Sequence, residues 1–132
     1  MSTQRAADQA VYDALYTIAL ELSPNVYTHA PPEGVPYPYI QIGSVQLTLQ
    51  PTKSRLLGRS YSMISVWGSE KDRRAVSDLA RQFFLKAGEL LELPDGLQVD
   101  LDSGASSIDL RPDQTTNNRL WRALITLVHN IF

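Results

Sequence analysis

Residues Tyr37 to Gly43 read Y-P-Y-I-Q-I-G, and they mark the point where helical periodicity gives way to a sheet. Pro36 and Pro38 bias Val35 and Tyr37 to extended backbone, because a residue before proline resists the helical region. Proline also lacks an amide donor, so Pro38 belongs at the first position or the edge of a strand. The stretch is a stiff lead-in to a strand that begins at Tyr39. From Tyr39 to Leu49 the chain is rich in β-branched and aromatic residues, with Ile40 and Ile42 on one face.

Working towards the N-terminus, Ala7, Val11, Ala14, Leu15, Ile18, Ala19 and Leu22 recur at spacings of three and four. This predicts an amphipathic helix over Gln4 to Leu22, stopped by Pro24. The connector N-V-Y-T-H-A-P-P-E-G-V-P holds one short extended piece around Val26 to His29.

Working towards the C-terminus, Leu57 to Trp67 is the next strand, with Ile64 and Val66 on one face and Tyr61, Met63 and Trp67 on the other. Between these strands lies the long polar loop Q-P-T-K-S-R-L-L-G-R, whose lysine, arginine, serine and glycine content predicts a mobile segment over residues 50–59. A second helix is predicted over Ser69 to Gly88. Ser69 and Asp72 have the spacing of a capping box, and Gly88 stands where a left-handed C-terminal residue belongs. Ala75/Val76, Leu79/Ala80, Phe83/Phe84 and Ala87 form a stripe wide enough to need a sheet beneath it.

After that helix, L-L-E-L-P-D-G-L-Q-V-D-L places a Pro-Asp-Gly turn between two alternating runs. Asp102 to Asn118 reads as a polar loop. The last element, Arg119 to Phe132, is apolar on both pleat faces. Trp121, Ala123, Ile125, Leu127 and Ile131 alternate with Leu120, Leu124, Val128 and Phe132. Such a strand is either central and covered on both sides or pressed against another subunit. The order α-β-β-α-β-β predicts a single α+β domain over residues 1–132, with a mostly antiparallel sheet of about four strands and two helices packed on one face.

Composition narrows the function classes. The chain has 132 residues, 43% hydrophobic and 20% charged, as in an ordinary globular domain. No apolar run approaches the roughly 18 residues of a membrane span, and the N-terminus lacks the apolar segment of a signal peptide. Cysteine is absent, which removes disulfides, thiolate metal sites and a cysteine nucleophile, and fits a cytoplasmic origin. A net charge of −2 argues against a broad nucleic-acid-binding face.

Motifs for catalysis are missing. His29 and His129 stand among apolar or turn residues and read as surface or part-buried imidazoles. Asp100 and Asp102 in V-D-L-D-S-G alternate along a strand end, so their carboxylates share a face that could hold Mg²⁺ or Ca²⁺. As an EF-hand loop the stretch fails, because the glycine comes one place early and position twelve is Arg111. A solvated structural pair is the preferred reading, with a small metal-binding module as the alternative. Glycine-rich phosphate loops, nucleophile elbows and H-E-x-x-H are all absent. Lys53, Arg55 and Arg59 form a small basic group that reads as solvated. The residues point to a protein whose work is binding, with no cofactor.

The arrangement resembles the tail completion, or tail-to-head joining, proteins of long-tailed bacteriophages, also called tail terminators. The matching residues are Val26-Tyr27, Pro38-Tyr39 with Gly43, Thr52-Lys53, Gly58 and Val66-Trp67, together with the helix from Ser69 to Gly88 and the closing strand Arg119 to Phe132. The resemblance spans nearly the whole chain. It departs at Thr115-Thr116-Asn117-Asn118, where the family tends to carry a basic or glycine-containing turn.

The resemblance implies a non-enzymatic virion protein that assembles into a ring, usually hexameric, on the finished tail tube. The ring halts tube growth, docks to a head-completion or connector protein, and lets genomic DNA pass without gripping it. A portal-side head-completion adaptor is the nearest alternative. The implied location is the head–tail junction of the virion, with assembly in the host cytoplasm and no membrane involved. In this picture Pro38, Tyr39 and Gly43 position the first sheet strand. A closing ring needs two different patches on each subunit. Lys53, Arg55, Leu56, Leu57 and Arg59 of the loop, and Trp121, Leu124 and Val128 of the closing strand, are the expected subunit or tube contacts.

Overall fold

The computed structural model describes residues 6–49, 58–94, 96–114 and 119–132. Gln4, Thr52, Lys53, Arg55, Leu56, Leu57 and the Thr115–Asn118 turn lie outside them, as does the mobility expected of residues 50–57. Helix α1 (Ala7–Leu22) buries Ala10, Val11, Leu15, Ile18 and Ala19, and ends at Ser23, whose backbone is extended just before Pro24. A two-residue strand β1 (Val26–Tyr27) follows, then β2 (Tyr39–Leu49), β3 (Gly58–Ser69), helix α2 (Arg73–Gly88), β4 (Val99–Leu101), β5 (Ser107–Asp113) and β6 (Leu120–Ile131). No described helix is long and apolar enough to cross a membrane.

The fold is α+β, with both helices against one face of a mostly antiparallel sheet. That sheet has six strands rather than about four, in the order β1-β2-β3-β6-β4, with β5 also paired to β6. The two additional pairings come from pieces too short or too polar to announce themselves. β1 joins β2 in parallel through only two residue pairs, Val26 with Ile40 and Tyr27 with Gln41. β5 lies inside the stretch that reads as a polar loop. It pairs antiparallel with β6 from Ser107–Thr126 to Asp113–Leu120, while β4 pairs with the other end of β6, from Val99–Ile131 to Leu101–His129. β4 and β5 thus share one edge of β6, joined by a turn in which the Ser106 hydroxyl donates to the Asp102 carbonyl and accepts from the Val128 amide.

Helix α2 departs from its expected ends. Ser69 is not its cap, because cross-strand pairing with Leu120 keeps it in β3. The helix begins at Arg73, and the Asp72 carboxylate turns back to accept from the Ser69 amide at 2.8 Å and the Ser69 hydroxyl at 2.7 Å. Gly88 is the last helical residue and is not left-handed; the positive-φ glycines are Gly34 and Gly96, the latter in the Pro-Asp-Gly turn.

Register explains the core. β2 is antiparallel to β3, with Ile42 opposite Ile64 and the next pair Val45 opposite Ser62, so one extra residue is inserted at Gly43-Ser44. This β-bulge shifts the pleat phase of β2. Ile40 and Ile42 before it, and Val45 and Leu47 after it, all reach the helix-facing core despite their opposite parity. β3 and β6 supply Ile64, Val66, Ala123, Ile125, Leu127 and Ile131, and α2 covers them with Val76, Ala80, Phe83 and Ala87.

His129 belongs to this layer. It is fully buried rather than surface or part-buried, and its Nε2 donates to the Ala87 carbonyl at 3.2 Å. Burial pushes its pKa below the usual 6.5, against smaller opposing effects from that carbonyl and from Asp100. The folded protein therefore holds His129 neutral where the unfolded chain takes up a proton. Stability is expected to be full above about pH 6.5 and to fall as the pH drops below it, by at most about 1.4 kcal/mol per pH unit from this group. Urea midpoints of wild type and His129→Leu, compared near pH 7.5 and near pH 5.5, check this. The wild type should lose more than the variant on acidification.

Candidate docking face

The sheet face opposite the helices carries no described second layer, and its side chains follow from the register. A row of rings crosses it near the start of β2. Tyr27 meets Tyr39 edge-on at 5.4 Å, Tyr37 stacks on Tyr39 at 5.6 Å, and Tyr39 lies near-parallel to Trp67 at 6.5 Å. The Arg122 guanidinium continues the row, 4.8 Å from the Trp67 ring centre. Arg111 of β5 stands opposite Arg122 and pairs with Asp109. Such stacking favours a planar guanidinium over an ammonium.

This row accounts for the two tyrosines beside Pro38. Tyr37 precedes a cis peptide bond to Pro38, and both tyrosine rings lie in the same stack. Tyr39 is buried there, and desolvation first, then the neighbouring Tyr37 and Tyr27, raise its pKa above the usual 10.0. It stays a neutral phenol under ordinary conditions. Polar side chains lock the row in place: Trp67 Nε1 donates to Gln41 Oε1 at 3.1 Å, and Arg122 donates to the Ser65 hydroxyl through Nη2 at 3.0 Å.

Beside the row lies a depression of about 210 Å³ lined by Gln41, Gly43, Ser44, Met63, Ser65, Arg122 and Leu124. Gly43 is there for a steric reason, since a Cβ on it would stand 2.6 Å from the Met63 carbonyl oxygen. Met63 is 41% exposed and Leu124 half-buried, so the depression offers apolar surface between polar walls.

The expected contact residues are not all brought together. Leu124 and Arg59 lie on the open face, where Arg59 stands 3.9 Å from Asp102. Val128 shares that face but is only 2% exposed, next to the Asp102–Ser106 turn, and offers little to a partner. Trp121 is on the opposite, helix-bearing face, where its Nε1 donates to the Glu70 carbonyl and Arg73 covers its ring. β6 is thus central in the sheet, covered by α2 on one side and, among the described residues, without a second layer on the other apart from the Asp102–Ser106 turn over Val128. Sequence reasoning missed Arg122, and it named Tyr27 and Trp67 as parts of the family resemblance, not as contact residues. Trp67 was assigned to the correct face, but its partners come from other strands.

Asp100 and Asp102 do share the open face, as their alternation along the strand predicts. Asp102 is engaged by Arg59 and by the Ala105 amide at 3.2 Å. Among the described residues no group of three or more histidine, aspartate or glutamate side chains could hold a metal ion.

No protein-family model matches the sequence, and no curated protein matches it. Solved structures do share the fold. The chain is similar to a chain from the virion of a native gene transfer agent particle, at TM-score 0.58 and 18% identity over 96% of this chain and 94% of that one. It is also similar to the bacteriophage SPP1 gp17 protein, at TM-score 0.51 and 20% identity over 100% and 97% of the two chains. At such identities the likeness establishes a common fold, shared over nearly the full length of both chains.

Proposed function

We propose that this chain is a structural protein of the phage head–tail junction, acting as a tail terminator by binding rather than catalysis. The observation that carries the reading is the likeness in fold, over 96% of this chain, to a component of an assembled virion. The uncovered sheet face supports it, because a large sheet surface without a second layer is a natural place for a partner. In this role copies of the chain form a ring, expected to be hexameric, on the end of the tail tube. The ring meets the tube protein on one side and a head-completion or connector protein on the other, with genomic DNA passing through it.

The test is the mass of the purified protein by light scattering, alone and with assembled tail tubes. A discrete ring, or a monomer that joins tube ends and halts their growth, is the expected result. Binding to portal complexes with indifference to tubes would instead favour the head-completion adaptor. Met63→Glu is expected to leave the fold intact, because Met63 is 41% exposed, while weakening tube capping if the open face is the contact surface.

A further inference from the structure

A second surface, on the helical side, has a chemistry of its own. A groove of about 390 Å³ runs between the middle of α1 and the C-terminal end of α2. Its floor is apolar, formed by Ala14, Ile18 and Leu90, and its rim carries the carboxylates of Glu21, Glu89 and Glu92 with a single cation, Lys86. Lys86 is already engaged, its Nζ donating to Glu21 at 3.3 Å. Glu89 and Glu92 are exposed, and neither pairs with a cation among the described residues. An apolar trough edged by unpaired carboxylates suits a segment that sets cations beside apolar side chains.

The chain carries such a segment in Lys53-Ser54-Arg55-Leu56-Leu57, with two cations and two leucines in five residues. We propose that the α1–α2 groove receives residues 53–57 of a second copy of this chain. The inference rests on the ring reading and deepens it by naming the receiving patch. A heterologous contact that closes by rotation uses two unlike surfaces on each subunit. Here one is basic and apolar and the other acidic and apolar. The leucines fill the trough, while the charges set register and speed encounter. Because the charged rim is solvent-exposed, association weakens as salt rises.

The experiment is a charge exchange in the full chain. One variant carries Glu89→Lys and Glu92→Lys; the other carries Lys53→Glu and Arg55→Glu. Each alone sets like charges against each other and is expected to associate about tenfold more weakly than wild type, or worse, by sedimentation velocity at low salt. Mixed in equal amounts, the two variants present opposite charges at every contact and should recover assembly. Because the sequence lacks cysteine, separately purified Ser54→Cys and Pro94→Cys proteins, once mixed, should form a disulfide only between copies.

Variants that each assemble like wild type, a mixture that recovers nothing, or a wild type that stays monomeric at every concentration would overturn the groove contact. Normal tube capping by both charge variants would remove the groove contact and leave the ring reading standing. A wild type that neither self-associates nor caps tubes would remove both.

Discussion

Replacing Phe83 with alanine is expected to destabilise the fold by about 3–5 kcal/mol, the usual cost of emptying a large aromatic site in a core. Phe83 is fully buried and the largest of the enclosed side chains. It sits with Val76, Ala80 and Ala87 on the stripe of α2 that faces the sheet. Two terms add there, the lost transfer of the ring from water and the cavity left when the surroundings relax only partly. Domains of this size hold about 5–15 kcal/mol in total, so the loss is a large share.

Urea denaturation, with the midpoint converted through an unchanged m-value, is the measurement. Leu85→Ala is the control. Leu85 is two positions along the same helix and 53% exposed, and it should change stability by no more than about 0.5 kcal/mol. Equal losses from both variants would mean that α2 does not cover the sheet with the face described.

Gly43→Ala is expected to cost about 1–3 kcal/mol, the range for forcing volume into a packed site. The added Cβ would stand 2.6 Å from the Met63 carbonyl oxygen, a backbone atom that cannot move without its strand. The consequence extends beyond one contact. The bulge at Gly43-Ser44 is what lets Val45 and Leu47 reach the core after Ile40 and Ile42. Deleting Ser44 should return the strand to simple alternation with Val45 and Leu47 still facing the core, whereas flattening the bulge with Ser44 retained would turn that end over, since a one-residue shift exchanges the two faces.

Hydrogen exchange at the Val45–Leu49 amides, read beside the urea midpoint, separates a strained bulge from a lost one. Gly104→Ala is the comparison. There a Cβ meets only Asp102 Oδ1, at an ordinary 3.6 Å, and the change should lie within about 0.5 kcal/mol. A Gly43→Ala protein as stable as wild type would show that β3 yields at Met63.

Much of the fold was legible because its signals are local. The stripe of α1 and the wide stripe of α2 repeat within a few residues, and Pro24 and Pro38 act on their immediate neighbours. The ends of β2 could be read directly as Tyr39 and Leu49. Elements that depend on a partner were not legible. S-I-D-L-R-P-D has mostly exposed side chains and a proline, and it is a strand because β6 offers it a free edge. Ser69 has the spacing of a helix cap, but its pairing with Leu120 claims it for β3. His129, surrounded by apolar residues in sequence, gave no sign that the end of α2 would close over it.

The docking face divides along the same line. By itself the sequence determined an α+β chain with two amphipathic helices, a stiff tyrosine- and proline-rich entry to the sheet, and a shared face for Tyr61, Met63 and Trp67 opposite Ile64 and Val66. Periodicity and proline stereochemistry act over a few bonds and need no partner. Only the tertiary structure decided that Tyr27, Tyr39, Trp67 and Arg122 form one row, that Val128 is buried while Leu124 is not, that Trp121 faces the helices, and that Glu89 and Glu92 edge a groove against α1. Each of these depends on strand register, on one bulge, or on how two helices lie together. Those are settled by contacts between residues far apart in the chain, where a slip of one position exchanges inside for outside.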